Sequence, residues 1–427
     1  MPAANPYSIG VSSGIEYGFY ALLIYSTVLS GWIPLGGSIV GGLYAIMAVY
    51  CIFCLGSRAS RVYVSIAMPL CCAVSFITVQ IVVHGEPFAA IRSFIVWMLH
   101  LVIMRTLCLR PRFLHRFAFV ALIIGVSLAP FLYYSGAEDA VTKQYGLDLS
   151  FTMANTNDIS RVFGFLSVYF IVAGLTTKRM GVRIASWLIV SGGLFVIGIT
   201  GSRGNLIAVL VAVIVALRRS LKRGFLPLLS LCLVLCVSYE FGFFDYGIKL
   251  YSARAGQLTG RELAWPIAAR RFLQSPLAGV GVSNYATYVP SIQKDLTPHN
   301  AFLTFALTGG VIPLVFFVGT WLLAARKVFL ANARKLPDAS FLLPLFFYTI
   351  LAITPENTSF MLFWAVAVTC ATLSSDGMQV VEGRTALRRG ALTAGMRMRQ
   401  GSDRYSRHYE NHTWTNSPKR RSGTRTS

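Results

Sequence analysis

The sequence predicts an all-α, polytopic integral membrane protein, and three observations support this prediction. Hydrophobic residues make up 55% of the 427 residues and charged residues only 13%, with a mean hydropathy of +0.62, a balance typical of chains that place most of their surface in lipid. About twelve apolar runs approach or exceed the roughly 20 residues that a spanning helix needs. Clusters of Lys and Arg separate alternate runs, as expected where basic loops stay cytoplasmic.

The apolar runs predict about ten to twelve transmembrane helices in one membrane domain, residues 1–376. The range arises because the seventh and eighth runs meet at a short turn, Gly201–Gly204, and the eleventh is close to the lower length limit of about 17 residues. The runs begin near Tyr17, Ile39, Val62, Ser93, Phe117, Ile159, Ile184, Asn205, Phe225, Ala301, Phe341 and Phe360.

The basic clusters predict which side of the membrane each loop occupies. Because short loops rich in Lys and Arg remain cytoplasmic, their alternation predicts that both termini are cytoplasmic. The N-terminal stretch contains no Lys or Arg before Arg58, so this orientation depends on the later loops. The clusters follow the even-numbered runs at Arg58–Arg61, Arg110–Arg116, Lys178–Arg183, Arg218–Arg223 and Arg326–Lys335.

Two long polar segments differ in character. Residues from about 243 to 300 form the largest loop, predicted to be extracytoplasmic, and its aromatic residues, including Trp265 and Tyr285, indicate an ordered structure. Residues 377–427 are rich in Lys, Arg, Ser and Thr and predict a disordered cytoplasmic tail. The excess charge behind the formal net charge of +22 falls on cytoplasmic segments. It therefore indicates anionic lipid headgroups as a partner and no nucleic acid.

Arg203 interrupts the apolar pattern at the start of the eighth run, and Ser202 precedes it. One interpretation is structural: the guanidinium of a tight turn extends to water at the interface. The other is an anion site. Neighbouring glycines allow close backbone approach, helix N-termini favour negative charge, and arginine binds phosphate through two parallel hydrogen bonds.

Arg261 belongs to a predicted helix within the large loop. The T-x-x-E spacing that begins at Thr259 is typical of a capping box, and predicts a helix from Gly260 to just before Pro276. At about 100° per residue, Arg261 shares a face with Trp265 and a second aromatic residue. This face either lies on the lipid surface or covers a polar cavity and brings Arg261 to a phosphate.

His299 is the only histidine in the large loop and immediately precedes the tenth apolar run. A lone histidine is more often a packed structural residue, although the reference pKa of imidazole, about 6.5, also suits a general base. Asn300 beside it indicates a defined helix start. Glu356, in a short outer turn, is a candidate for a hydrogen-bonding or orienting role.

Together, the motifs from about residue 199 to 317 resemble the shared domain of the O-antigen ligases and Wzy-type polysaccharide polymerases. The matching pieces are an SRG sequence at Arg203, an R-x3-W pattern at Arg261, a P-x2-G-x-G pattern at Pro276, and HN-x2-L at His299 with a following glycine pair. Their order, with a large extracytoplasmic loop between membrane elements, also agrees.

The resemblance implies a glycosyltransferase-C-like enzyme of the bacterial inner membrane with a periplasmic active site. Members of that family transfer a glycan from undecaprenyl pyrophosphate to an acceptor hydroxyl, with no metal and no other cofactor. By this resemblance His299 activates the acceptor, and Arg203 and Arg261 hold the pyrophosphate. The further candidates for a supporting role are Ser202, Trp265, Asn300 and Glu356.

The predicted function is therefore a polymerase that joins lipid-linked repeat units of an exopolysaccharide or O-antigen, with a glycan acceptor and a chain-length regulator as partners. Two alternatives share the motifs: a ligase that delivers glycan to lipid A core, and an oligosaccharyltransferase that delivers it to protein. A flippase or transporter of lipid-linked saccharides belongs to a different class. It is disfavoured because the candidate residues gather at one face rather than at the bilayer midplane.

Overall fold

The structure is a computed structural model, and it describes ten stretches of the chain. They are residues 13–28, 37–55, 67–108, 113–135, 156–199, 202–218, 260–290, 294–298, 300–334 and 339–353. All of them fall within one unit, Met1–Ser374. The predicted tail and the predicted spans that begin at Phe225 and Phe360 lie outside the described residues.

The described part of the chain is predominantly helical, as predicted. Each of its first eight helices, and also the last, begins within about two turns of a predicted apolar run. These eight are α1 (Ser13–Val28), α2 (Gly37–Leu55), α3 (Ala67–Val82), α4 (Pro87–Cys108), α5 (Phe113–Ser135), α6 (Thr156–Thr176), α7 (Met180–Ile199) and α8 (Arg203–Leu217). The later elements are α9 (Gly260–Gln274), β1 (Thr287–Val289), β2 (Lys294–Leu296), α10 (Ala301–Gly309), α11 (Val311–Ala333) and α12 (Ala339–Ile353).

By length and composition, three of the described helices can cross a membrane: α6, α7 and α11. Shorter apolar helices accompany them, including α3 and α12. Large hydrophobic side chains such as Phe53, Leu188 and Leu322 are exposed on the outside of the helices, where lipid would solvate them. The protein is thus a helical membrane protein, and the number of spans stays a prediction.

Two features depart from the predicted elements. The tenth apolar run is not one helix from Ala301, because the chain breaks at Gly310, whose φ of 79° ends α10 and precedes α11. In addition, the all-α prediction misses a short antiparallel sheet in which β1 pairs with β2, with Tyr288 opposite Asp295. Both departures lie in or next to the large loop.

Helix α6 is buried along most of its length, and its two ends meet different neighbours. Near its start, Ser160 accepts a hydrogen bond from Asn205 in the first turn of α8. The carbonyl of the next residue, Arg161, accepts one from Tyr348 near the end of α12. The starts of α6 and α8 and the end of α12 therefore lie together, at what we call the Asn205 end.

The opposite end of α6 lies beside the starts of α1 and α5. Tyr169, on the second half of α6, hydrogen-bonds to His115, at 2.5 Å between Oη and Nδ1. The adjacent Arg116 forms an ion pair with Glu16 in the first turn of α1, at 2.7 Å between Nη1 and Oε2. We call this region the Arg116 end.

Candidate functional site

A cluster of buried polar side chains surrounds the start of α8 at the Asn205 end. The amide nitrogen of Asn205 lies 2.5 Å from the Ser160 hydroxyl and 2.9 Å from the Ser202 hydroxyl. An asparagine amide has two N–H donors, so these two bonds use both. Ser202 is the N-cap of α8 but makes no side-chain cap hydrogen bond, and its hydroxyl accepts from Asn205 instead. The first turn of α8 is thereby attached to α6.

Tyr348 approaches the same cluster from α12. Its hydroxyl donates to the carbonyl of Arg161 at 2.7 Å and lies 3.5 Å from Oδ1 of Asn205. Arg161 itself, near the start of α6, is only 1% exposed. Buried ionisable residues within membrane helices commonly mark functional regions.

Sequence reasoning passed over Asn205, Tyr348 and Arg161. The signal that could have found them is a polar residue inside an apolar run, which is the signal that identified Arg203. Asn205 and Arg161 lie near the ends of their runs, where polar residues are ordinary, and a tyrosine is ordinary in an apolar helix. Only their convergence distinguishes them.

Helix α9 has the predicted boundaries, from Gly260 to Gln274, with Arg261 in its first turn. At about 100° per residue, Ala268 lies on the same face as Arg261 and is fully buried, whereas Arg270 lies on the opposite face and is exposed. This face therefore packs into the protein, which favours the interpretation of α9 as a cover over the interpretation that the face lies on lipid.

The segment that contains His299 is held on both sides. The Trp265 indole N–H donates to the carbonyl of Pro298 at 2.6 Å. Asn300 is the N-cap of α10, and its Oδ1 accepts from the backbone N–H groups of Phe302 and Leu303, at 3.0 and 3.2 Å. Both immediate neighbours of His299, Pro298 and Asn300, are buried.

Two glycines of the motifs allow the large loop to dock on the junction between α10 and α11. Gly279 and Gly310 have φ values of 70° and 79°, in the left-handed region that favours glycine. A Cβ atom on Gly279 would overlap the Leu307 carbonyl, and one on Gly310 would overlap the Leu277 carbonyl. We call this contact the glycine seam. It includes a hydrogen bond from Val280 N to Leu307 O, at 2.5 Å.

The α3–α4 turn fastens the loop from another side. Gln80 is fully buried and binds both the loop and α10. Its Oε1 accepts from Val282 N of the loop at 3.0 Å, and its Nε2 donates to Thr308 O of α10. Glu86 accepts from Ser283 N at 3.2 Å. Sequence reasoning did not single out these residues, because neither belongs to a motif and their partners are distant in sequence.

The structure gives contacts for three of the seven predicted site residues, and these three lie in two places. Ser202 joins the cluster at the start of α8, while Trp265 and Asn300 flank the His299 segment. The first residue of α8 is Arg203 and the second of α9 is Arg261; no side-chain contacts are described for either. His299 and Glu356 lie outside the described residues. The chemical roles of all seven stay predictions.

These features define a helical membrane protein in which the described part of the large loop docks on the junction between α10 and α11. Residues 184–318 match the family model described as O-antigen ligase (Wzy_C), from within α7 to within α11, so the match includes α8, α9 and the glycine seam. The resemblance drawn from the motifs is confirmed over these residues, which match an O-antigen ligase domain. No curated protein matches the chain.

Proposed function

We propose that the protein is a polymerase that joins lipid-linked repeat units of an exopolysaccharide or O-antigen. The observation that carries the proposal is the pair of contacts around His299: Trp265 binds the carbonyl before it, and Asn300 caps the helix after it. The family match covers this segment and supports the same reaction class. The undecaprenyl-pyrophosphate-linked donor and the membrane location are implied by that family.

In the proposed reaction His299 removes the proton from the acceptor hydroxyl as its oxygen attacks the anomeric carbon of the donor glycan. A new glycosidic C–O bond forms, and the C–O bond to the pyrophosphate breaks. The electron pair leaves with the polyprenyl pyrophosphate. Arg203 and Arg261 hold the pyrophosphate in the bound donor and continue to hold it as it leaves, and no metal or other cofactor takes part.

We also propose that the Asn205 end faces the periplasm and the Arg116 end the cytoplasm. The Glu16–Arg116 ion pair supports this orientation, because it joins the start of α1 to a basic loop. The N-terminal region, which lacks basic residues of its own, is thereby tied to the cytoplasmic side. In this arrangement residues 377–427 form the separate cytoplasmic tail and contact anionic lipid.

A ligase is the second candidate, and the description of the matched family favours it. The two functions differ in the acceptor. The experiment supplies purified protein with lipid-linked repeats and no second acceptor. Chain growth supports the polymerase. Absence of chain growth, with transfer only after lipid A core is added, supports the ligase.

The role of His299 is tested by His299→Ala in the same assay. Loss of a general base lowers the transfer rate by about 10²- to 10⁴-fold, while the amount of protein in the membrane stays at the wild-type level. His408→Ala, which changes the same residue type in the tail, is the matched control and keeps the wild-type rate. Transfer by His299→Ala at the wild-type rate would falsify the assignment.

A further inference from the structure

We infer that Asn205 and Tyr348 are positioning residues for Arg203, which set the start of α8 so that Arg203 meets the pyrophosphate of the lipid-linked donor. The inference rests on the proposed function, and it adds two residues to the site. Neither is among the predicted site residues, and Tyr348 lies outside the segment that matches the family model.

Asn205 fixes α8 through its side chain. It lies two residues after Arg203, in the same helical turn, and is only 3% exposed. Both of its N–H donors are used, one by Ser160 on α6 and one by Ser202 at the N-cap. The backbone from which Arg203 projects is therefore attached to a neighbouring helix as well as to its own cap.

Tyr348 adds a hydrogen bond from α12. Its hydroxyl donates to the Arg161 carbonyl, which ties α12 to α6, and it lies beside the Asn205 amide. Gly164 provides the space, because a Cβ atom there would overlap the Tyr348 hydroxyl. Three helices thus share one small set of hydrogen bonds at the start of the helix that carries Arg203.

This arrangement suits a site that must hold a phosphate in one geometry. Bidentate recognition by arginine is directional, and a shift of about 1 Å in a binding group is enough to impair it. Buried hydrogen bonds also contribute to stability, so the test needs a readout that separates the two roles. A purely structural loss lowers the active fraction, and with it the apparent kcat, whereas a displaced Arg203 raises the KM for the donor.

The experiment measures initial transfer rates of the purified full-length protein over a range of lipid-linked donor concentrations. We expect Asn205→Ala and Tyr348→Phe each to raise the donor KM about fivefold, the worth of one lost hydrogen bond, with kcat within about twofold of wild type. Thr349→Val is the matched control. It removes a buried hydroxyl from the same helix, but among the described residues that hydroxyl bonds to Leu345 within α12, so the donor KM of this variant stays unchanged.

Two further variants keep the inference falsifiable if a single substitution lowers the yield. Gly164→Ala displaces the Tyr348 hydroxyl and should reproduce the KM of Tyr348→Phe. Because Asn205 acts through Arg203, the double variant Arg203→Ala/Asn205→Ala should have the same KM as Arg203→Ala alone; additive effects overturn the inference.

The outcomes also distinguish this inference from the proposed function. If Arg203→Ala raises the donor KM while Asn205→Ala and Tyr348→Phe do not, only the positioning role is wrong. If Arg203→Ala leaves the KM unchanged, the phosphate-binding role of Arg203 is wrong and the inference fails with it. If no variant and no wild-type sample transfers glycan from the lipid-linked donor, the proposed function itself fails.

Discussion

The two ends of α6 are both polar, but in different ways. At the Arg116 end a carboxylate and a guanidinium pair directly: Glu16 is fully buried, accepts a hydrogen bond from Tyr20 and lies 2.7 Å from Arg116. At the Asn205 end the described contacts between helices are neutral hydrogen bonds from amide and hydroxyl groups. The first arrangement matches charge to charge within the protein. The second places amide and hydroxyl groups, together with the buried Arg161, near the start of the helix that carries Arg203.

The contrast indicates a division of work along the helix. A buried carboxylate that is neutralised by its own protein partner has no charge left for a ligand, and it contributes to stability and orientation. Hydrogen bonds from amide and hydroxyl groups fix the start of α8 without placing a carboxylate among them, so none of these groups would repel an anionic substrate. Substitutions at the Arg116 end should therefore change the free energy of unfolding. Substitutions at the Asn205 end and in the loop segment next to His299 should change glycan transfer.

The largest effect is expected at the Arg116 end. Arg116→Gln leaves the Glu16 carboxylate buried without this cation, and we expect a loss of about 3 kcal/mol in the free energy of unfolding. The figure is at the lower end of the range because the Arg116 side chain is 31% exposed. Thermal unfolding of the purified protein measures it, and the donor KM should remain at the wild-type value.

Substitution of the other member of the ion pair, Glu16, gives a second prediction. Glu16→Gln leaves the partly exposed guanidinium, which water can solvate, so we expect a smaller loss of about 1 kcal/mol. Equal losses for the two variants would contradict the assignment of Glu16 as the desolvated partner.

The glycine seam is expected to give the next largest effect. Gly310→Ala places a side chain at a φ of 79° and against the Leu277 carbonyl, which should cost about 2 kcal/mol. Gly192→Ala is the matched control, since its Cβ would meet nothing within 4 Å and it lies within α7. The Val280 amide bonds to Leu307 O and the Val311 amide to Pro276 O, at 2.5 and 2.8 Å. Hydrogen exchange of both amides should accelerate in the first variant only. Unchanged exchange in Gly310→Ala would show that the seam does not hold the loop.

Trp265→Phe removes the hydrogen bond to the carbonyl of Pro298 and should lower the transfer rate about tenfold, equivalent to about 1.4 kcal/mol. Trp321→Phe makes the same chemical change at a buried indole whose N–H has no hydrogen-bond partner in the described structure, so its rate should match wild type. A similar fall in both variants would mean that packing of the ring, rather than the bond to Pro298, matters for transfer.

The smallest effect is expected from Asn300→Ala, which removes the N-cap of α10 at a cost of about 1 kcal/mol. The transfer rate should fall about fivefold, because the cap fixes the backbone that follows His299. Asn300→Asp keeps the acceptor oxygen and should restore the rate. Failure of aspartate to restore it would assign the role to the amide nitrogen rather than to the cap.

The sequence by itself determined the features that depend on neighbouring residues. The apolar runs predicted α1 to α8 and α12, because hydrophobic length is a local property. The helix α9 followed from the T-x-x-E spacing and from Pro276, and its observed bounds, Gly260–Gln274, agree. The candidates Trp265 and Asn300 were also found from the motifs, and the structure gives each a definite partner, Pro298 and the first turn of α10.

Only the tertiary structure decided which distant residues meet. Asn205 and Tyr348 are 143 residues apart, and Gln80 and Thr308 are 228 residues apart; no local pattern relates either pair. The break at Gly310 had a local signal in the glycine pair, but only the structure shows that Leu277 of the loop approaches so closely that a Cβ atom there has no room. Hydrophobic periodicity and caps fix where helices begin and end, whereas a hydrogen bond between helices exists only once packing has set the distance between its atoms.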